Sequence, residues 1–129
     1  MKSIWLTLSL SVCVLSSVFA QKKDILIDND KIKVTQFTSL PGEDVCGVGM
    51  HTHAEHVNIL MTDAKVKSTY PNGSTDIQIY DAKKHQLTII SKGKQQVISS
   101  YGGFVAPAGT HELKNIGTKP FIFYMIETK

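Results

Sequence analysis

The stretch Gly49-Met50-His51-Thr52-His53-Ala54-Glu55-His56 carries three histidines, and Pro107-Ala108-Gly109-Thr110-His111 adds a fourth far downstream. Side chains alternate between the two faces of a β-strand, so His51 and His53 would point the same way, about 7 Å apart. Two imidazoles at that spacing can bind one metal ion, and His111 could complete the site only through the fold. The pattern therefore predicts a metal centre built on β-strands.

Short runs of β-branched and aromatic residues, separated by turn residues, fill the sequence after residue 24. No stretch keeps the 3.6-residue period of a helix. Asn72-Gly73 is the strongest hairpin signal, because both central residues of a type I′ turn need a positive φ. The fold class predicted is all-β, as a small barrel or sandwich. The predicted strands cover residues 32–37, 45–53, 57–61, 65–69, 76–80, 87–90, 96–99, 104–106, 111–116 and 121–127.

Residues 1–20 are expected to be a cleavable signal peptide. Lys2 gives a positive start, the following residues are apolar or small, and Val18-Phe19-Ala20 suits a signal peptidase. An uncleaved anchor and lipidation at Cys13 are the less favoured alternatives. The expected mature chain, residues 21–129, is long enough for a single domain and is predicted to be periplasmic or secreted.

Composition argues against charged macromolecular partners. The formal net charge is +3, and the lysines are spread without long runs of one sign. We therefore predict neither nucleic acid nor a membrane surface as a partner. The chain contains no arginine, so an anionic ligand would have to be held by lysine, backbone N–H groups or the metal.

Strand alternation also ranks the residues near the histidines. If residues 45–53 form one strand, Cys46 lies on the face opposite His51 and His53, which argues against it as a ligand. On the next strand, Asn58 shares a face with His56, and it is therefore a candidate for contact with a bound molecule.

At this point the sequence resembles the cupin superfamily. Gly49-Met50-His51-Thr52-His53 is similar to the centre of the first cupin motif, and residues 107–115 are similar to the second, which reads Pro-x-Gly, His and Asn. Asn115-Ile116-Gly117 and Glu127-Thr128-Lys129 fit the end of small single-domain cupins. The resemblance implies a small double-stranded β-helix, or jelly-roll, barrel and a homodimer.

The sequence departs from the family pattern between and within the motifs. The position of the usual carboxylate ligand is taken by His56, so the resemblance implies a centre of His51, His53, His56 and His111; Glu55 is the alternative to His56. The segment 68–86 is long for a minimal cupin. We expect it to add or lengthen a hairpin that covers the barrel mouth or forms a subunit contact.

The residues limit the cofactor more than the reaction. Imidazole ligands favour a divalent transition metal (Fe, Cu, Zn, Ni or Mn) over calcium. Two hypotheses remain: an exported metal-dependent oxygenase acting on a small organic molecule that chelates the metal, and a non-enzymatic module that binds a metal or small ligand. No general base is evident. Glu55, Tyr101 and Tyr124 are the candidates for that role, and the two tyrosines are also candidates for the substrate pocket.

Overall fold

The computed structural model describes residues 22–99 and 103–129, which form eleven β-strands. The expected signal peptide lies outside these residues. Within the described part of the chain, no helix has the length and apolar character needed to cross a membrane. The strands are β1 (Lys22–Asp28), β2 (Ile32–Ser39), β3 (His51–His53), β4 (His56–Leu60), β5 (Ala64–Thr69), β6 (Thr75–Asp81), β7 (Gln86–Ser91), β8 (Lys94–Ser99), β9 (Gly103–Ala106), β10 (Gly109–Asn115) and β11 (Phe121–Thr128).

The strands form two antiparallel sheets, which confirms the all-β prediction. The first sheet has the order β1-β2-β11-β4-β9, and the second has the order β3-β10-β5-β6-β7-β8. Apolar side chains from both sheets meet in one core, as the alternation of buried and half-buried residues along β2 and β11 requires. The buried core residues are Phe37, Val45, Cys46, Val66, Tyr80, Leu87, Phe121, Phe123 and Met125.

A row of aromatic rings joins the two sheets through the core. The ring centroids of Phe37 and Phe123 are 5.2 Å apart, those of Phe123 and Phe121 are 4.9 Å apart, and those of Phe121 and Tyr80 are 5.0 Å apart. Tyr80 belongs to the second sheet and the phenylalanines to the first. Contacts at these distances are in the range of favourable aromatic pairs, so the row fixes the spacing of the sheets.

The segment 68–86 supplies the β5–β6 hairpin and the turn into β7, as expected of an added or lengthened hairpin. Its turn type differs from the prediction, because Gly73 (φ 79°) has a positive φ and Asn72 does not. Tyr70 and Ser74 close a three-residue loop instead. Two consecutive residues with positive φ occur at Lys92 (48°) and Gly93 (74°), where a two-residue connection joins β7 to β8.

The predicted strand at 45–53 is wrong for its first six residues. Only residues 51–53 form a strand, β3, and the chain before them is an irregular loop. Gly47 (φ 74°) and Gly49 (φ 66°) take the left-handed conformation, which breaks strand alternation. The edge strand β1, near the N-terminus, was also not predicted.

Asn115, the last residue of β10, has a buried side chain that forms hydrogen bonds to neighbouring segments. Its amide nitrogen donates hydrogen bonds to the carbonyls of Ser39 (3.0 Å) and Lys119 (3.1 Å), and its amide oxygen accepts one from the backbone N–H of Gly117 (3.0 Å). The side chain is fully buried. Asn115 therefore joins β2, β10 and the turn before β11, and is a structural residue.

We predict that Asn115→Leu lowers the free energy of unfolding by about 3 kcal/mol, because it leaves two carbonyls and one N–H without their partner in the interior. Urea unfolding measures the change. Thr118→Ala, in the same turn but exposed, is the control and should change stability by less than about 0.5 kcal/mol. Equal effects of the two substitutions would contradict the role given to Asn115.

Candidate metal centre

The antiparallel pairing of β3 with β10 brings the distant histidines together. His51 lies opposite His111, and His53 lies opposite Gly109. The ring centroids of His51 and His53 are 4.5 Å apart, and the centroid of His111 is 5.3 Å from His51 and 5.6 Å from His53. His56, at the start of β4, lies 5.0 Å from His53 by the same measure. The four predicted histidines thus form one cluster, called here the histidine cluster.

Backbone carbonyls orient two of these rings. Nδ1 of His51 lies 2.6 Å from the carbonyl oxygen of Gly49, and Nδ1 of His56 lies 2.8 Å from that of Ala54. A carbonyl only accepts, so in each case Nδ1 carries the hydrogen and Nε2 carries the free lone pair. This is the arrangement that prepares a histidine to bind a metal through Nε2.

The other two rings are kept neutral by their surroundings. Burial, followed by the nearby charges of His51, His56 and His111, lowers the pKa of His53 to about 4. Burial is also the main cause that lowers the pKa of His111. Because only neutral imidazole binds metals, both rings are available as ligands at neutral pH.

Nε2 of His111 is buried and has no hydrogen-bond partner among the described residues. Nε2 of His53 lies 2.7 Å from Nε2 of His51, so that pair shares one hydrogen bond that a metal would replace. Buried polar atoms are nearly always paired, and an unpaired one at a cluster of imidazoles indicates a missing partner. The donor set and this unpaired atom therefore fit a bound transition metal.

Cys46 lies against the histidine cluster. The sequence analysis had placed it on the opposite face of a strand. Its Sγ lies 3.8 Å from Nε2 of His53, and the ligand atoms of Cys46, His51 and His53 all lie within 4.8 Å of one another. These three residues could hold a metal ion. Alternation failed here because it was applied to a loop. Burial, aided by the charge of Asp44, raises the pKa of the Cys46 thiol to about 12, so it is protonated at neutral pH.

Asp44 organises the loop that leads into β3. Its carboxylate accepts hydrogen bonds from the backbone N–H groups of Cys46 (2.7 Å), Gly47 and Gly49 (2.9 Å). The carbonyl of Gly49 in turn orients the ring of His51. Asp44 therefore positions His51 indirectly, through the backbone of Gly49. The sequence analysis did not single out Asp44. The signal was an aspartate followed closely by two glycines, which is typical of a loop rather than a strand.

A cavity of about 560 Å³ opens from the histidine cluster into the space between the sheets. Three of the histidines line it together with Cys46 and Asn58; His51 does not. This volume is in the range of small-molecule sites in proteins. The deeper walls are mostly apolar, and include Leu60, Tyr80, Leu87, Ile89, Ile98, Phe104, Leu113, Phe121, Phe123 and Met125.

Comparison with solved structures identifies the architecture. A cupin domain from Bordetella pertussis Tohama I matches 85% of this chain and 94% of its own, with 22% identity and a TM-score of 0.59. A cupin family protein with a double-stranded β-helix fold from Methanocaldococcus jannaschii matches 88% and 84%, with 10% identity and a TM-score of 0.50. This chain has the cupin fold. No family model matches the sequence, and no curated protein matches it either.

The remaining predicted site residues fall in different places in this fold. Asn58 lines the cavity with His56, as alternation along β4 predicted. Tyr124 does not, because it alternates with the cavity-lining Phe123 and Met125 and lies on the other face of β11. Glu55 is exposed. Tyr101 lies outside the described residues, and its role as a pocket residue stays a prediction.

Proton release on metal binding should distinguish a site of four histidines from a site that includes Cys46. A Cys46 thiol with a pKa of about 12 must lose one proton to bind a metal at pH 7.5, whereas neutral histidines lose none. We expect the four histidines to bind without Cys46. Calorimetric titration with Zn²⁺ in buffers of different ionisation enthalpy should then give the same proton count for the wild type and Cys46→Ala. One proton fewer in the variant would instead make Cys46 a ligand.

Proposed function

We propose that this cupin is an exported metal-dependent oxygenase that acts on a small organic molecule able to chelate the metal. The observation that carries the proposal is the unpaired, buried Nε2 of His111, set within about 5–6 Å of two other imidazoles by ring centroid. His51, His53, His56 and His111 would hold the metal. The homodimer implied by the cupin resemblance stays a prediction.

The donor set favours a transition metal, with Fe, Cu, Zn, Ni and Mn as the candidates. Imidazole binds these ions better than it binds calcium or magnesium, which prefer oxygen ligands. Iron or copper, if bound by these histidines, would supply Lewis acidity toward a chelating substrate and redox chemistry with dioxygen. Without a carboxylate in the set of four histidines, the full charge of the ion is left for the substrate.

The residues of the chain itself supply orientation and exclusion of water. The carbonyls of Gly49 and Ala54 orient the rings of His51 and His56. The apolar walls keep water away from the inner end of a bound molecule. The cavity lining within residues 22–99 and 103–129 contains no aspartate, glutamate or lysine. That lining offers no carboxylate or amine as a general base, which favours oxygen chemistry over isomerisation or hydrolysis.

The same lack of carboxylate and amine groups also favours a second candidate, a non-enzymatic module that binds a metal or a small ligand outside the cytoplasm. This module would use the same histidine cluster and cavity. The two candidates differ in turnover alone, so one assay separates them.

Oxygen uptake tests the first candidate. The protein is loaded with Fe²⁺ or Cu²⁺ and supplied with β-diketones, thiols and catechols. We expect uptake with at least one class, and a loss of at least about 100-fold in His111→Ala, because a removed ligand leaves the metal poorly held. His85→Ala, an exposed turn residue outside the cluster, is the matched control and should retain full activity. Tight metal binding without turnover on any compound would favour the binding module.

Export is supported by the pattern of residues 1–20: Lys2, an apolar stretch and Val18-Phe19-Ala20. We expect N-terminal sequencing of protein recovered from its native compartment to begin at Gln21. A chain that still begins at Met1 would contradict this part of the proposal.

A further inference from the structure

One strand, β4, lines the cavity from the histidine cluster inward. His56, Asn58 and Leu60 line it in turn, and successive residues on one face of a strand are about 7 Å apart. Asn58 pairs with Met125 on one side and Phe104 on the other, and both of these residues line the cavity. Asn58 therefore lies one step deeper than the histidine cluster, among apolar side chains.

The side chain of Asn58 is unpaired in this position. Its exposed fraction is 9%, and its Oδ1 is buried without a hydrogen-bond partner among the described residues. The large majority of buried side-chain polar atoms in proteins have a hydrogen-bond partner, so this unpaired oxygen indicates a group that a bound molecule would supply. Oδ1 is an acceptor, and its missing partner is an N–H or O–H donor.

The other amide and hydroxyl groups of the inner cavity already have partners. The Tyr80 hydroxyl donates to Oε1 of Gln78 (2.5 Å), whose Nε2 donates to Oγ of Ser68 (2.7 Å). The hydroxyl of Tyr70 donates to Oδ2 of Asp76 (2.9 Å). Asn58 is therefore the place along this wall where a ligand would gain a hydrogen bond without breaking one.

The walls favour an uncharged aromatic body. The rings of Tyr80, Phe104, Phe121 and Phe123 line the inner cavity, and the Tyr80 centroid is 5.0 Å from Phe121 and 5.7 Å from Phe104. Flat rings at these positions can stack on or meet the edge of a ligand ring. Because the described lining contains no lysine or carboxylate, a charged group at this depth would lose its hydration without gaining an ion pair.

We propose that the inner cavity binds a neutral aromatic molecule whose hydroxyl or N–H group donates a hydrogen bond to Oδ1 of Asn58. This proposal deepens the proposed function and rests on it for the reaction, since it names the substrate class of the same site. The aromatic body would lie against the four rings. The group that chelates the metal would point toward the histidine cluster.

A set of three probes tests the ligand class on the full folded protein, with Zn²⁺ and without metal. The probes are 2-naphthol, which has the donor; 2-methoxynaphthalene, which lacks it; and 2-naphthoate, which is charged. Titration calorimetry gives the affinities. We expect 2-naphthol to bind about tenfold more tightly than the ether, the effect of one buried hydrogen bond, and 2-naphthoate to bind metal-free protein at least about tenfold more weakly than 2-naphthol.

Asn58→Leu, which has nearly the same shape as asparagine and no acceptor, should reduce the preference for 2-naphthol over the ether to about one. The matched control is Asn72→Leu, the same change at an exposed turn, and it should keep the full preference. The proposal is overturned if the preference survives in Asn58→Leu, if the ether binds as well as the naphthol, if the naphthoate binds metal-free protein most tightly, or if none of the probes binds.

A second readout is independent of whether Asn58→Leu folds. In the wild-type protein, 2-naphthol should shift the NMR signals of the Asn58 side-chain amide and the ether should not; equal shifts would contradict the proposal. The metal-free measurements also separate this inference from the proposed function. Naphthol selectivity without oxygen uptake would leave the cavity assignment in place and remove the oxygenase, and oxygen uptake without selectivity would do the reverse.

Discussion

The register of β10 is the constraint on which the site depends. This strand pairs with β3 at one end, where His111 meets His51, and with β5 at the other, where Glu112 meets Thr69. Its last residue, Asn115, is fixed by three buried hydrogen bonds. Because side chains alternate along a strand, a slip of one residue would turn His111 away from the other imidazoles. The two neighbouring strands and the asparagine together make that slip costly, so residues that are about sixty positions apart in sequence meet in one place.

The loop before β3 adds a second, local constraint. Three backbone N–H groups converge on the carboxylate of Asp44, and two glycines in the left-handed conformation allow the chain to wrap around it. This wrapping brings Cys46 inward next to His53 and places the carbonyl that orients His51. A regular strand through the same residues would have turned Cys46 to the other face. The composition of the cluster thus follows from loop geometry as well as from strand pairing.

The sequence predicted the parts of this molecule that depend on period and pairing, and missed those that depend on loops. Alternation along β4 correctly placed Asn58 beside His56, and the two histidine motifs correctly met. The inward position of Cys46 was missed, because positive φ at Gly47 and Gly49 is decided by the hydrogen bonds of Asp44 and leaves no periodic signal. Tyr124 was predicted for the substrate pocket and lies on the other face of β11, because a run that is apolar on both faces does not show in sequence which face borders a cavity. The strands were predicted more reliably than the site because the two-residue alternation of a strand recurs along the sequence, whereas the geometry of a loop does not.

The electrostatics of the site are consistent with both proposals. Burial lowers the pKa of His53 and His111 and raises that of Cys46, so each of these groups is held in its neutral form at pH 7. The described cavity wall beyond them has no charged side chain. A bound divalent ion would then be the main charge in an otherwise neutral enclosure, where its field is weakly screened. Such a field stabilises a ligand group that becomes negatively charged when it binds the ion. A charged group deeper in the cavity would have no counter-charge beside it. A chelating molecule with a neutral, hydrogen-bonding aromatic end satisfies both requirements at once.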